Sequence, residues 1–426
     1  MIETVEHATC LGCGCLCDDI AVVVEGGRVV GADRACPIGR EWFLAPRPGA
    51  GLPAVTVDGR ASTFERGVAR AAEILGGARA PAVWGLAGTT VEAQRAAVAI
   101  ADAIGAVVDV AGPGAAGRSA RLEAYQRVGQ VSATLGEVKD RADVVVFWGV
   151  DPVLTHPRHF ERYSVEPRGR FVPGGRAGRT VVVVDQKPTA TAAASDLCVH
   201  VEPDSYGETF GVLRALVRGV AIDPGRAEEA TGVPFSALED LAARLMRARY
   251  GALFFGPMPG GSWAVEGALT LVRDLNVGRR FVALTLGEAG NPAGAEAVLS
   301  WQAGAPSAVD FGRGYPRHLP GDATLADRLA AGAVDAALIV ADDPAVGLPA
   351  EDLARLGSIP TVAIRPGATA DGPTPGVAFD VARPGIEAGG TVGRVDGVML
   401  PLRPALRAGG PTDREVLEAI GRALGG

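Results

Sequence analysis

The chain has 426 residues, 48% of them hydrophobic and 21% charged, with a formal net charge of −8. That length allows two or three domains with sizeable cores. An acidic chain with no basic run is a poor partner for nucleic acid or an anionic membrane surface, and no apolar stretch approaches the roughly 18 residues a membrane-spanning helix needs.

The chain opens on MIETVEHATC, which lacks the charged-then-apolar order of a secretory leader, so the expected setting is the cytoplasm. Residues 18–32, DDIAVVVEGGRVVGA, read as two strands joined at Gly26-Gly27. Residues 45–55, APRPGAGLPAV, read as a linker. Strands and helices then alternate. APAVWGL, AVVDVAG, ADVVVFWGVDP and RTVVVVDQ are continuous apolar runs of the kind buried on both faces of a parallel sheet. Between the first two lies a helix capped by Thr89 or Thr90. SYGETFGVLRALVRGVA and FSALEDLAARLMRARY read as helices, the second with Ser236 as cap. GALFFGP, RRFVALTL, VDAALIVADDP and IPTVAIRP resume the strand pattern, and DREVLEAIGRALGG closes it as an amphipathic helix. The expected fold class is α/β, in three parts: a cysteine-rich β domain over 1–50 and α/β domains over 51–200 and 201–426.

Five of the six cysteines fall within the first 36 residues. Cys10, Cys13 and Cys17 are spaced C-x2-C-x3-C, and Cys36 follows after 18 intervening residues. In a reducing compartment clustered thiols read as metal ligands rather than disulfides. Four thiolates beside a hairpin suit a four-iron cluster, with zinc as the main rival; the x3 spacing leans towards the cluster. Cys15 is a spare thiol in the same loop. Cys198 is expected as a small buried apolar residue. No Ser-His-Asp pattern, phosphate-binding loop or H-E-x-x-H occurs.

The cysteine segment, CLGCGCLCDDI…ACPIG, resembles the N-terminus of the B-type subunit of formylmethanofuran dehydrogenase, a member of the molybdopterin oxidoreductases. Three further stretches are similar to that family: residues 133–171, WQAGAPSAVDFGRGYPR (301–317) and PGIEAGGTVGRVDGV (384–398). The resemblance implies an Fe–S-type domain followed by Rossmann-like lobes, without the β-barrel domain that a separate subunit supplies. It also implies one four-iron cluster on Cys10, Cys13, Cys17 and Cys36, and a molybdenum or tungsten bis-pterin that reduces CO2 to formate.

One segment departs from the family pattern. The family's metal-binding cysteine lies in a stretch resembling VVDTTASVCHGPS, and the chain has VVDVAGPGAAGRSA there (107–120). Anchoring on Asp109, Gly117 and Ser119 puts Ala115 at the ligand position and Ala116 at the neighbouring histidine. A methyl group cannot ligate tungsten, and no cysteine occurs between Cys36 and Cys198. Asp185, Lys187 and Thr189, after a strand, would line a vestigial pterin pocket or are ordinary turn residues; Gly256 is similarly placed. His156, Arg158, His159 and Arg162 are either a ligand-binding remnant or structural.

Three functions stand against one another. The first is a non-redox, dehydrogenase-like scaffold in a formyltransferase/hydrolase complex of tetrahydromethanopterin-linked one-carbon metabolism, without bis-pterin, bound to hydrolase-like, transferase-like and β-barrel subunits. The second is the catalytic B-type subunit of formylmethanofuran dehydrogenase. The third is an electron-transfer module using the cysteine cluster alone.

Overall fold

The computed structural model describes residues 2–112, 115–318, 324–341, 343–367 and 374–425. The chain gathers into two compact units. One joins Met1–Ala115, Gly287–Arg394 and Met399–Gly426; the other joins Ala116–Leu286 and Val395–Val398.

The first unit begins with β1 (Ile2–Ala8), β2 (Ile20–Glu25) and β3 (Arg28–Asp33), a three-stranded antiparallel sheet. Gly26 and Gly27 turn β2 into β3 with φ of 57° and 76°, a pair of left-handed residues suited to a tight hairpin. A short helix, Pro37–Leu44, follows; the Cys36 side chain caps it by accepting from Gly39 N. Then come β4 (Val55–Val57), β5 (Arg60–Ala61), β6 (Pro81–Gly85) and β7 (Val107–Val110). Thr90, rather than Thr89, caps the helix Val91–Ile104 between β6 and β7, accepting from Ala93 N.

The second unit is a parallel sheet of β8 (Val144–Trp148), β9 (Thr180–Asp185), β10 (Leu197–His200), β11 (Tyr250–Phe255) and β12 (Arg280–Thr285), in the order β10-β9-β8-β11-β12. Every residue of β8 and β11 is buried, as their unbroken apolar runs require. Trp148 stacks on Phe210 with centroids 4.1 Å apart, joining β8 to the helix Tyr206–Val217. The expected boundary at residue 200 falls inside this unit, because strands from both sides of it hydrogen-bond in one sheet. Ser236 is not a cap: the helix Phe235–Arg247 starts one residue earlier, on Pro234, with no side-chain capping bond. Cys198 is exposed on the edge strand β10, not buried as expected.

The chain returns to the first unit with β13 (Val309–Asp310), β14 (Arg317–His318), β15 (Ala336–Val340), β16 (Thr361–Ile364) and β17 (Val377–Phe379). These complete a nine-stranded sheet, β14-β13-β7-β6-β15-β16-β17-β4-β5. Its middle, from β7 to β17, is parallel, and both edges are antiparallel. A hairpin of β18 (Gly390–Gly393) and β19 (Met399–Leu402) precedes the C-terminal helix Asp413–Leu424, which a Thr412/Glu415 capping box begins. No helix among the described residues is long and apolar enough to cross a membrane.

Candidate functional site: the cysteine loop and the cavity beside it

The segment between β1 and β2 is a loop that its own sulfurs organise. Cys10 N donates to Cys17 O at 2.9 Å, and Gly12 N donates to Cys10 Sγ at 3.3 Å. Gly39 N donates to Cys36 Sγ at 3.4 Å. A Cβ on Gly39 would sit 3.0 Å from Cys10 Sγ and 3.8 Å from Cys36 Sγ, so both sulfurs flank one point. Burial pushes the Cys10 thiol up to about 12, opposed by the Gly12 N–H and reinforced by the negative charge of Cys17, Cys13 and Cys36. The structure thus places the Cys10 and Cys36 sulfurs beside one point, with Cys13 and Cys17 near enough to act on Cys10 electrostatically. The spare thiol is there too: its hydrogen bond lowers Cys13, while Cys13 and Cys17 together push Cys15 upward.

Among the described residues, no three His, Cys, Asp or Glu side chains converge as a ready site for one ion. The donor set, soft thiols approached by backbone N–H groups, is of the kind that clusters take.

A cavity of about 810 Å³ adjoins this loop within the first unit. Leu11 and Gly12 of the cysteine loop and Ile38, Glu41 and Trp42 of the Cys36-capped helix form one side. The other side is made by turns at the carboxyl ends of parallel strands: Ala87 and Gly88 after β6, Ala341 and Asp343 after β15. β6 and β15 are neighbours, and the chain's progression across the sheet reverses between them; such switch points are where open α/β sheets bind ligands. The two turns approach closely, since a Cβ on Gly88 would lie 2.2 Å from Ala341 O. Arg365 and Arg383 add positive charge; Arg365 pairs with Asp343 at 3.5 Å, and Arg383 donates to Ala45 O at 2.8 Å.

The sequence did not single this cavity out. Its walls come from short Gly- and Pro-rich turns that lie far apart along the chain. The usable signal was their position: GLAG, ADDP and IRPG each end a buried apolar run.

Asp185, Lys187 and Thr189 lie in the second unit and do not line this cavity. Asp185 is buried at the end of β9, Lys187 is exposed, and Thr189 caps the short helix Ala190–Ala193. They stand at the carboxyl end of a Rossmann-ordered sheet, whose own switch point lies between β8 and β11. Gly149 follows β8 with φ of 62°, and a Cβ there would meet the Tyr206 hydroxyl at 3.0 Å. Gly256 follows β11, where a Cβ would lie 2.7 Å from Val150 Cγ1.

The HPRHF residues make local contacts, and the His159 Nε2 is buried without a hydrogen-bond partner. His159 is 2% exposed, its Nδ1 lies 2.8 Å from Ser164 Oγ, and its ring meets Phe254 edge-on at 4.7 Å. Burial pushes it down to about 3, with His156 adding to the effect, so it stays neutral and attracts no anion. Arg158 pairs with Glu161, and Arg162 lies over the Tyr163 ring. Ala115 opens the helix Ala115–Val128; Pro113, Gly114 and the side chains of Ala115 and Ala116 lie outside the described residues.

The fold is one that acetylene hydratase from Pelobacter acetylenicus shares, with a TM-score of 0.64 over 99% of this chain and 69% of that one at 11% identity. No family model matches the chain. The chain is 35% identical over 432 residues to the B-type subunit of the tungsten-containing formylmethanofuran dehydrogenase 2 of Methanocaldococcus jannaschii, covering 99% of this chain and 98% of that one. It is 33% identical over 293 residues to the B-type subunit of the formyltransferase/hydrolase complex Fhc of Methylorubrum extorquens, covering 68% and 75%. A crystal structure of that complex, FhcABCD with methylofuran, matches with a TM-score of 0.70 and 31% identity over 87% of this chain and 98% of the other. The chain therefore belongs to the family formed by the B-type subunits of formylmethanofuran dehydrogenase and their Fhc counterpart.

Proposed function

We propose that the chain is a non-redox, dehydrogenase-like subunit of a formyltransferase/hydrolase complex in cytoplasmic, tetrahydromethanopterin-linked one-carbon metabolism. There, a formyl group passes to a methanofuran-type carrier and leaves as formate. The chain's part is to hold hydrolase-like, transferase-like and β-barrel subunits in place. The observation that carries this reading is the absence of any thiol between Cys36 and Cys198; the resemblance puts Ala115 at the family's metal-ligand position. The likeness to the Methylorubrum complex supports it. Asp185, Lys187 and Thr189 are then remnants of a pterin site. No bis-pterin and no catalytic residue is assigned.

Cys10, Cys13, Cys17 and Cys36 would hold one four-iron cluster. It would supply a covalent cross-link for a small three-stranded domain, with thiol protons released on binding.

A second reading, the catalytic B-type subunit of a formylmethanofuran dehydrogenase, is favoured by the 35% identity to such a subunit along 99% of the chain. Metal analysis separates the two. The proposal expects neither tungsten nor molybdenum in the purified complex, together with formate release that needs no electron acceptor. Either metal near one per chain, or formate metabolism that requires a redox partner, selects the dehydrogenase.

A further inference from the structure

A subunit without redox work has no evident need of a cluster, yet the cysteine loop persists. The cavity offers a reason. Leu11 and Gly12, within the C-x2-C-x3-C run, are cavity wall, and so is the helix that Cys36 caps. The loop also bonds directly to another lining segment. Gly290 N donates to Leu11 O at 2.8 Å, and Gly290 lines the cavity. Gly290 has φ of 81°, and a Cβ there would lie 2.5 Å from Ala87 O.

The next residue carries the link onward. Asn291 is fully buried; its N donates to Ala87 O at 2.6 Å and its Nδ2 to Thr89 O at 2.8 Å. Gln94 Nε2 reaches the carbonyls of Leu86 at 2.8 Å and of Asn291 at 3.1 Å. The chain of bonds from the cysteines to the turn after β6 therefore passes through two adjacent residues.

We propose that occupancy of the cysteine site controls the order of the cavity: filling the four thiolates fixes Leu11, Gly12 and the Pro37–Leu44 helix, and through Gly290 and Asn291 fixes the turn after β6. Emptying it loosens both walls together. The cysteines then act as a structural control over a binding cavity, whether or not electrons pass. The inference rests on the proposed four-iron cluster, but on neither the redox nor the non-redox reading of the subunit.

The test is amide hydrogen exchange on the full chain purified without air, before and after iron removal with a chelator. The expected result is that protection falls at least about fivefold in peptides covering 9–17 and, equally, in those covering 84–94 and 286–292. Peptides of β8 in the second unit should not change. Faster exchange confined to 9–17 would overturn the link. Collapse of protection in β8 as well would make the cysteines a staple for the whole fold, and would also overturn it. A chain that binds no iron under these conditions removes the premise and the inference with it.

Linkage must run both ways, which gives a second measurement that leaves every cysteine in place. Gly290→Ala should speed iron release to the chelator at least about fivefold, while the exchange of β8 stays native. Unchanged release from folded G290A protein would refute the coupling. Tungsten or molybdenum content and formate turnover, read on the same preparations, report on the functional reading independently of either result.

Discussion

Arg179 is a buried cation with no carboxylate among the hydrogen-bond partners of its side chain. It is 4% exposed and donates to four carbonyls: Ala142 at 3.0 Å, Val165 at 3.2 Å, and those of Pro167 and Lys139 at 2.5 and 2.6 Å. Two of these end the helix Leu135–Arg141, where the helix dipole favours positive charge; the others lie in the loop that follows residue 164. Burial pushes its guanidinium downward, which marks the cost of placing the charge there. Arg179→Met keeps much of the volume and removes every donor. Hydrogen bonds from a charged donor are worth about 1.5–3 kcal/mol each, and the recovered desolvation of the cation offsets part of the loss. The net destabilisation should be on the order of 3–5 kcal/mol, and Arg179→Lys, with a point charge in place of a fork, should fall between. Urea unfolding followed by amide exchange at β8 and at residues 165–172 measures it in the second unit, where a single global transition cannot be assumed. A methionine variant within about 1 kcal/mol of the parent would show that the four carbonyls find other donors, and the account of this loop would fail.

Other outcomes follow from the same geometry. Gly251→Ala places a Cβ 1.9 Å from the Phe281 ring in the middle of the second sheet, and should cost about 1–3 kcal/mol or prevent folding of that unit, read by its melting transition. Cys13→Ser should lower iron content and exchange protection at residues 9–17 while leaving formyl transfer and hydrolysis in the assembled complex; loss of turnover with the complex intact would count against a scaffold. Asp413 is buried, accepts from Thr89 Oγ1 and Arg414 N, and is pushed upward by its burial. Its folded state therefore holds a proton more tightly than the unfolded chain, so its contribution is present at low pH and is lost as pH rises from the ordinary carboxylate range through the raised value. Asp413→Asn should flatten that part of the stability–pH profile; an unchanged slope would show that another group titrates there.

Much of the α/β pattern was legible because buried parallel strands leave unbroken apolar runs. β6, β8, β9, β11, β12, β15 and β16 were all readable in that way. β1, β13 and β14 were not, since IETVEHA is an exposed, mostly polar strand and the other two are two residues long. The division into units was hidden for a different reason: the first unit is completed only after the second, by pairing β6 with β15 some 250 residues later, a distance no local pattern reports. That the cysteines share one loop could be read because four of them fall within eight residues, Cys10 to Cys17. The cavity could not, because a turn such as GEAGNPAG looks like any other until Gly290 is seen against Ala87. Cys198 misled because a cysteine between apolar neighbours usually points inward, whereas β10 is an edge strand.

The central claim is that a dehydrogenase-like subunit has kept its cysteine cluster and lost its metal–pterin centre. Elemental mass spectrometry with a visible spectrum, on complex purified without air, tests it most directly. The account predicts about four irons per chain, with the broad absorption of an iron–sulfur cluster, and neither tungsten nor molybdenum. Tungsten or molybdenum near one per chain would contradict it and make the chain a working dehydrogenase subunit despite Ala115.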